Sequence, residues 1–173
     1  MPTIAVHPAT PEDINQLIPI YKKIFKKHYV FELPANEIMK YLLDKHEANK
    51  EVGGLLVAVK NGKVLGGLLV KKSCFDAKAK HLVVKYNHLA VKEQGKGIGT
   101  ILVKYAETLL KKKIKAQEVK TIKIEADVAE NEQKSLEFYK KNGFKVEGKL
   151  QDHYRAKELV YAIGKMMLKK RVT

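Results

Sequence analysis

The spacing of apolar residues changes several times along this chain, and each change marks an element. Thr3 to His7 alternates as a short strand. Thr10-Pro11-Glu12-Asp13 reads as a helix start, with Thr10 as N-cap, Pro11 at the first helical position and acids in the first turn. Ile14, Leu17, Ile18, Tyr21, Ile24 and Phe25 then recur at helical spacing, which carries the helix to about Lys27, with Pro19 expected to kink or divide it. Pro34 to Asn49 gives a second helical pattern through Ile38, Tyr41, Leu42 and Lys45. Between the two lies an aromatic loop, His28 to Leu33.

Period two takes over after Gly53-Gly54. Leu55 to Lys60 and Lys63 to Val70 are strands joined by Asn61-Gly62, a strong hairpin signal. Ser73 to Lys80 reads as a polar connection, and His81 to Val91 as a long strand. Ile98, Ile101, Leu102, Tyr105 and Leu109 form the buried stripe of a helix reaching Lys115. Thr121 to Ala126 alternates as a strand, Asp127 to Glu132 reads as an acidic loop, and a further helix runs to Asn142, closed by Gly143. Phe144 opens another strand, and Glu158 to Leu168 is the last. The order predicts an α+β fold: a mixed, mostly antiparallel sheet flanked by helices on both faces.

The junction between the long strand and the third helix carries the first chemical signal. Its residues run Leu89-Ala90-Val91-Lys92-Glu93-Gln94-Gly95-Lys96-Gly97-Ile98-Gly99-Thr100. The first backbone N–H groups of a helix have no partner, and the aligned peptide dipoles leave partial positive charge there. A diphosphate accepts those donors where no side chain blocks its approach, and Gly95, Gly97 and Gly99 give that clearance. Lys96 adds a mobile cation. A tight strand-to-helix turn with no ligand explains the same glycines. The run is neither Gly-x-x-x-x-Gly-Lys-Ser/Thr nor Gly-x-Gly-x-x-Gly.

Composition narrows the field. A chain of 173 residues with 45% hydrophobic content fits a single domain, residues 1–173, with a sizeable core. Its longest apolar runs, such as Leu55 to Val59, are too short to cross a bilayer, and the N-terminus lacks a signal-peptide pattern. Cys74 is the only cysteine, so no intramolecular disulfide forms, in keeping with a reducing compartment; a cytoplasmic protein with no membrane partner is expected. The six histidines, scattered without metal-ligand spacing, lead us to expect no metal site.

The net charge of +15 is the compositional oddity. It favours polyanionic ligands and admits RNA as a partner. Yet the lysines are spread through every segment, only Arg155 and Arg171 supply guanidinium groups, and no aromatic-rich nucleic-acid motif is present. A solvated basic surface is therefore favoured over a nucleic-acid or ribosome interface.

Two stretches carry a family resemblance. Gln94-x-x-Gly97-x-Gly99 resembles the acetyl-CoA loop, Gln/Arg-x-x-Gly-x-Gly/Ala, of the GNAT superfamily of N-acetyltransferases. Ser135-Leu136-Glu137-Phe138-Tyr139-Lys140-Lys141-Asn142-Gly143-Phe144 is similar to that family's downstream helix, Ala-x-x-x-Tyr-x-x-x-Gly-Phe. The resemblance extends from about Ile4 to Leu168 and is firmest between Leu89 and Phe144.

The resemblance implies an acetyl-CoA-dependent transferase that moves an acetyl group to a primary amine by direct attack on the thioester. The backbone of Leu89 and Val91 would hold the pantetheine arm, and Gln94, Gly95, Lys96, Gly97, Ile98 and Gly99 the diphosphate. Asn131, Ser135 and Tyr139 would complete the cofactor site, with the Tyr139 hydroxyl as general acid to the departing thiolate. For the base the residues leave His88, Tyr86 and Glu125 open; His88 titrates in the useful range. Two departures stand out. The loop between Val91 and Gln94 is about two residues shorter than the family pattern. Asn131 lies one position farther from Tyr139 than the usual asparagine, where Glu132 stands.

The acceptor would be a protein N-terminus, a lysine or a small amine, in a monomer or a homodimer. The positive field of the whole chain disfavours small cationic amines such as polyamines and favours a peptide or an acidic metabolite. Two alternatives have other sequence correlates. A non-catalytic CoA-binding module would keep the glycine loop without an acceptor pocket, and an RNA- or ribosome-associated basic module would rest on the lysines alone.

Overall fold

The structure is a computed structural model that describes residues 3–168; Arg171 lies outside the described residues. In chain order the elements are β1 (Ala5–Pro8), α1 (Pro11–Ile24), a 3-10 turn (Tyr29–Glu32), α2 (Ala35–Asn49), a second 3-10 turn (Lys50–Val52), β2 (Gly54–Lys60) and β3 (Lys63–Asp76). There follow β4 (His81–Val91), α3 (Ile98–Lys115), β5 (Thr121–Ala129), α4 (Gln133–Lys141), β6 (Lys145–Gln151) and β7 (Leu159–Leu168). The strand order is β1-β2-β3-β4-β5-β7-β6. β4 pairs β5 in parallel, and the pairs β1–β2, β2–β3, β5–β7 and β6–β7 are antiparallel. This is the mixed, mostly antiparallel α+β fold that the pattern of apolar positions predicts.

The chain divides into two compact units, Met1–Lys71 with Tyr86–Leu110, and Lys72–Lys85 with Lys111–Thr173. In the first unit α1 starts on a capping box: Thr10 Oγ1 accepts from the Asp13 amide at 3.2 Å, and Asp13 Oδ2 accepts from the Thr10 amide at 2.9 Å. Pro19 lies inside α1 without ending it. It sits on the exposed face with Asn15, where the residue whose carbonyl loses its helical partner is itself exposed. Ile14, Leu17, Ile18 and Tyr21 of α1 and Ile38 and Leu42 of α2 share one buried cluster with Leu55, Val57 and Leu69. The aromatic stretch expected as a loop is a 3-10 turn, with Val30 and Phe31 buried. His28 Nδ1 accepts from the Val30 amide at 3.3 Å and fixes its start.

In the second unit β5 alternates strictly: Ile122, Ile124, Ala126 and Val128 are buried, and Thr121, Lys123, Glu125 and Asp127 line its other face. Pairing with β7 extends past Ala126, through Asp127↔Ala162 and Val128↔Tyr161 to Ala129↔Val160. That ladder turns the first three residues of the expected acidic loop into strand. In the same way β3 continues to Asp76 across residues whose polarity reads as a connection.

Candidate active site

The first unit contains the whole strand–loop–helix segment from Leu89 to Thr100. β4 ends at Val91, and the Lys92 amide donates to Leu65 O at 2.7 Å, which fixes where the chain leaves the sheet. Residues 92–97 are exposed, and α3 starts at Ile98, which is buried and anchors the helix end. Gly97 O accepts from the Ile101 amide at 3.1 Å, so Gly97 closes the first helical turn. The amides of Ile98, Gly99 and Thr100 therefore lack intrahelical acceptors.

Gly95 and Gly97 hold φ +76° and +75°, backbone angles that L side chains rarely adopt. A Cβ built on either would meet no atom within 4 Å. The glycines thus answer a backbone requirement, and they leave open space at the helix entrance that an anion can occupy. Beside the loop lies a cavity of about 410 Å³, lined by Lys60, Lys92, Lys96 and one carboxylate, Glu93, together with Leu65 and Ile98, so that its wall keeps a net positive charge. Free amides, a helix N-terminus and three lysines suit a diphosphate.

His88, also in the first unit, is enclosed by aromatic rings. Phe31, His28, Phe25 and Tyr41 lie 5.1–5.9 Å from it between centroids, and Tyr41 Oη is 3.0 Å from His88 Nε2. Burial, then the charges of His28, Lys71 and Lys45, lower its pKa to about 3. The ring is neutral at physiological pH, and its conjugate acid is too strong for efficient proton abstraction from an ammonium. The residue also adopts φ +52°, which interrupts the strand alternation that would place Tyr86 and His88 on one face.

The second unit contains α4 and the half-buried face of β5. Asn131 sits in the turn before α4, and Ser135 is exposed in the helix's first turn. Tyr139 is buried, with its ring edge-on to Phe138 at 5.3 Å and Phe144 at 5.1 Å. Burial, and then the charge of Glu132, raise its pKa, so the phenol keeps its proton. Asp127 gathers three partners on one oxygen. Lys85 Nζ forms an ion pair with Oδ2, Tyr154 Oη donates to it at 2.7 Å, and His153 Nε2 lies 3.8 Å away. Burial, then the hydrogen bond to Asp127, raise the pKa of Tyr154. These groups come from β4, β5 and the β6–β7 connection, and no local sequence signal joins them. Among the described residues no cluster of three or more His, Cys, Asp or Glu could hold a metal ion, and no helix is long and apolar enough to cross a membrane.

Comparison with known families gives a match to the acetyltransferase (GNAT) domain over residues 51–146. The span includes β2 to α4, with both the glycine loop and Tyr139. The chain belongs to the GNAT acetyltransferases and is an acyltransferase, of a family that uses acetyl-CoA and an acceptor substrate.

Solved structures share the fold at low identity. Ard1 from Thermoplasma volcanium is 20% identical with a TM-score of 0.69, over 96% of this chain and 99% of that one. Naa50 of Arabidopsis thaliana, in complex with the bisubstrate analogue CoA-Ac-MVNAL, is 18% identical with a TM-score of 0.71, over 94% and 97%. The ribosomal-protein-alanine N-acetyltransferase of Brucella melitensis is 17% identical with a TM-score of 0.68, over 94% and 99%. The search of curated proteins gives no match.

Proposed function

We propose that this acyltransferase moves an acetyl group from acetyl-CoA to a primary amine. The observation that carries the reading is the entrance of α3, where Gly95 and Gly97 take left-handed angles and leave open space before unpaired amides. In this reading Gln94 to Gly99 hold the diphosphate, Lys92 and Lys96 neutralise it, and the backbone of Leu89 and Val91 holds the pantetheine arm. Asn131 and Ser135 are assigned to the cofactor from the family pattern.

The amine attacks the thioester carbonyl as a free base, a C–N bond forms, and the C–S bond breaks. The Tyr139 hydroxyl donates to the leaving thiolate; its raised pKa keeps the phenol protonated as a donor and makes it a weaker acid than a free phenol, so it stabilises the thiolate by hydrogen bonding and a proton it passes on is replaced from the amine's surplus proton. The amine's surplus proton passes to a base. His88, whose pKa near 3 makes it a poor acceptor, does not suit this task, which leaves Glu125 or water. His88 instead shapes the aromatic wall around Tyr41 and Phe31.

Calorimetric titration with acetyl-CoA tests the cradle. The wild type should bind with micromolar affinity, and Gly97→Glu, which puts a carboxylate and a strained backbone at the helix entrance, should abolish the heat of binding. Unchanged affinity in the variant would remove the loop from the cofactor site. Tyr139→Phe should leave that affinity intact and lower kcat by about 100-fold, the usual scale of a lost general acid.

A further inference from the structure

We propose that the carboxamide of Asn87 orients the attacking amine, its Oδ1 accepting one N–H while the nitrogen lone pair turns to the thioester; this role rests on the transferase reading above. Asn87 Oδ1 is buried and has no hydrogen-bond partner among the described residues. A carbonyl oxygen in that state costs stability until a donor reaches it, and a ligand N–H gains a bond there without displacing another.

The course of β4 places this side chain. Tyr86 is buried, and Asn87, one residue on, lies on the opposite face of the strand. At His88 the left-handed angle, φ +52°, interrupts the alternation. The His88 ring packs on Phe25 and Phe31, and Ala90 belongs to the same cluster with α1 and α2, whereas Tyr86 does not. Asn87 and His88 therefore turn to the α1–α2 side together, just before the Leu89 backbone assigned to the pantetheine arm. A non-glycine residue held at a left-handed angle is strained, and strain of this kind gathers at functional sites.

The surroundings suit a free amine. Burial and the charges of His28, Lys71 and Lys45 keep the His88 ring neutral, and they act the same way on an ammonium beside it. A carboxamide fits the neutral species: it accepts an N–H as a carboxylate does, but carries no charge that would hold the amine protonated. As the C–N bond forms, the nitrogen gains positive charge, its N–H becomes a stronger donor, and the bond to Oδ1 tightens in the transition state. Asn87 takes up no proton, so the amine's surplus proton leaves to the base and the C–S bond breaks as described above.

The test compares the full chain with Asn87→Ala and Asn87→Leu in three measurements: acetyl transfer, acetyl-CoA titration and urea unfolding. The acceptors are short peptides with free N-termini, the amide of Nα-acetyl-lysine and 1,4-diaminobutane. For an amine that the wild type acetylates, both variants should lower kcat about tenfold and leave acetyl-CoA affinity unchanged. Since Oδ1 has no partner in the fold, at least one variant should unfold at the same or a higher urea concentration than the wild type. A structural asparagine would lose stability and activity together. Unchanged turnover in Asn87→Ala, a loss of acetyl-CoA affinity, or a lower urea midpoint in both variants overturns the proposal, and Asn87→Ala decides alone if Asn87→Leu does not fold. A wild type that acetylates none of these amines defeats the transferase reading and this role with it. A wild type that acetylates one of them beside an equally active Asn87→Ala defeats this role alone.

Discussion

His88 couples the aromatic cluster of the first unit to pH. Its pKa is lowered from 6.5 in the unfolded chain to about 3 in the fold, chiefly by burial. The unfolded chain therefore binds the extra proton first as pH falls. The stability held by the neutral ring is complete above about pH 6.5, declines steadily below it, and is gone by about pH 3. Thermal melts at pH 7 and pH 4.5 should show a fall in Tm for the wild type that is smaller in His88→Gln; parallel curves for the two proteins would show that His88 protonation is not linked to folding. Nearby, the Tyr21 hydroxyl is fully buried without a hydrogen-bond partner. Tyr21→Phe should therefore be neutral or stabilising by about 1 kcal/mol in urea unfolding, since it deletes an unpaired polar atom and keeps the ring contacts with Phe25 and Phe31. A loss of 2 kcal/mol or more would mean that the hydroxyl has a bound water as partner.

At the scale of elements, the turn from α2 into β2 depends on one close approach. Gly54 has φ +62°, and a Cβ there would stand 2.7 Å from His46 Nδ1 and 2.9 Å from His46 O. The same His46 Nδ1 accepts from the Leu55 amide at 2.9 Å. Gly54→Ala must either unseat that hydrogen bond or strain the backbone, and should cost about 2 kcal/mol or more; a cost below about 0.5 kcal/mol in chemical unfolding would show that the turn relaxes freely. Nothing in the sequence around His46 announces this contact, because it depends on how α2 folds back to β2. By contrast, the Asn61-Gly62 hairpin, β4 and α3 carry their signals within a few residues, and the structure places His81–Val91 and Ile98–Lys115 where the apolar period puts them. The signals fail where pairing is non-local. Asp127 to Ala129 read as an acidic loop until β7 pairs with them, and that pairing brings Asp127 onto the face where Lys85 and Tyr154 meet it. The glycine loop was legible as a strand-to-helix junction for the same reason that α3 was: strand, loop and helix are contiguous in sequence. The cavity beside Glu125 draws on β4, β5, β6 and β7, so no local stretch of sequence announces it.

For the whole molecule, the excess of lysine over acid has to be separated from the few lysines that touch a ligand. A polyanion such as acetyl-CoA gains from both, and the two contributions respond differently to salt. Distributed surface charge mainly speeds encounter, whereas lysines that touch the phosphates add to affinity directly, and exposed ones lose that contribution as the Debye length shrinks. Lys60, Lys92 and Lys96 line the cavity beside the glycine loop, and Lys92 and Lys96 belong to the exposed segment before α3. If these contacts carry the binding, replacing Lys92 and Lys96 with alanine should weaken acetyl-CoA affinity about tenfold at low salt. It should also flatten the fall in affinity between about 50 mM and 500 mM sodium chloride, because fewer screened charges remain near the ligand. If instead the +15 acts as a diffuse field, the double variant should keep the full salt slope and lose less than about twofold in affinity. Calorimetric titrations at the two salt concentrations decide between these, and a salt slope unchanged by the double substitution would move the cofactor's electrostatic binding from the glycine loop to the surface as a whole.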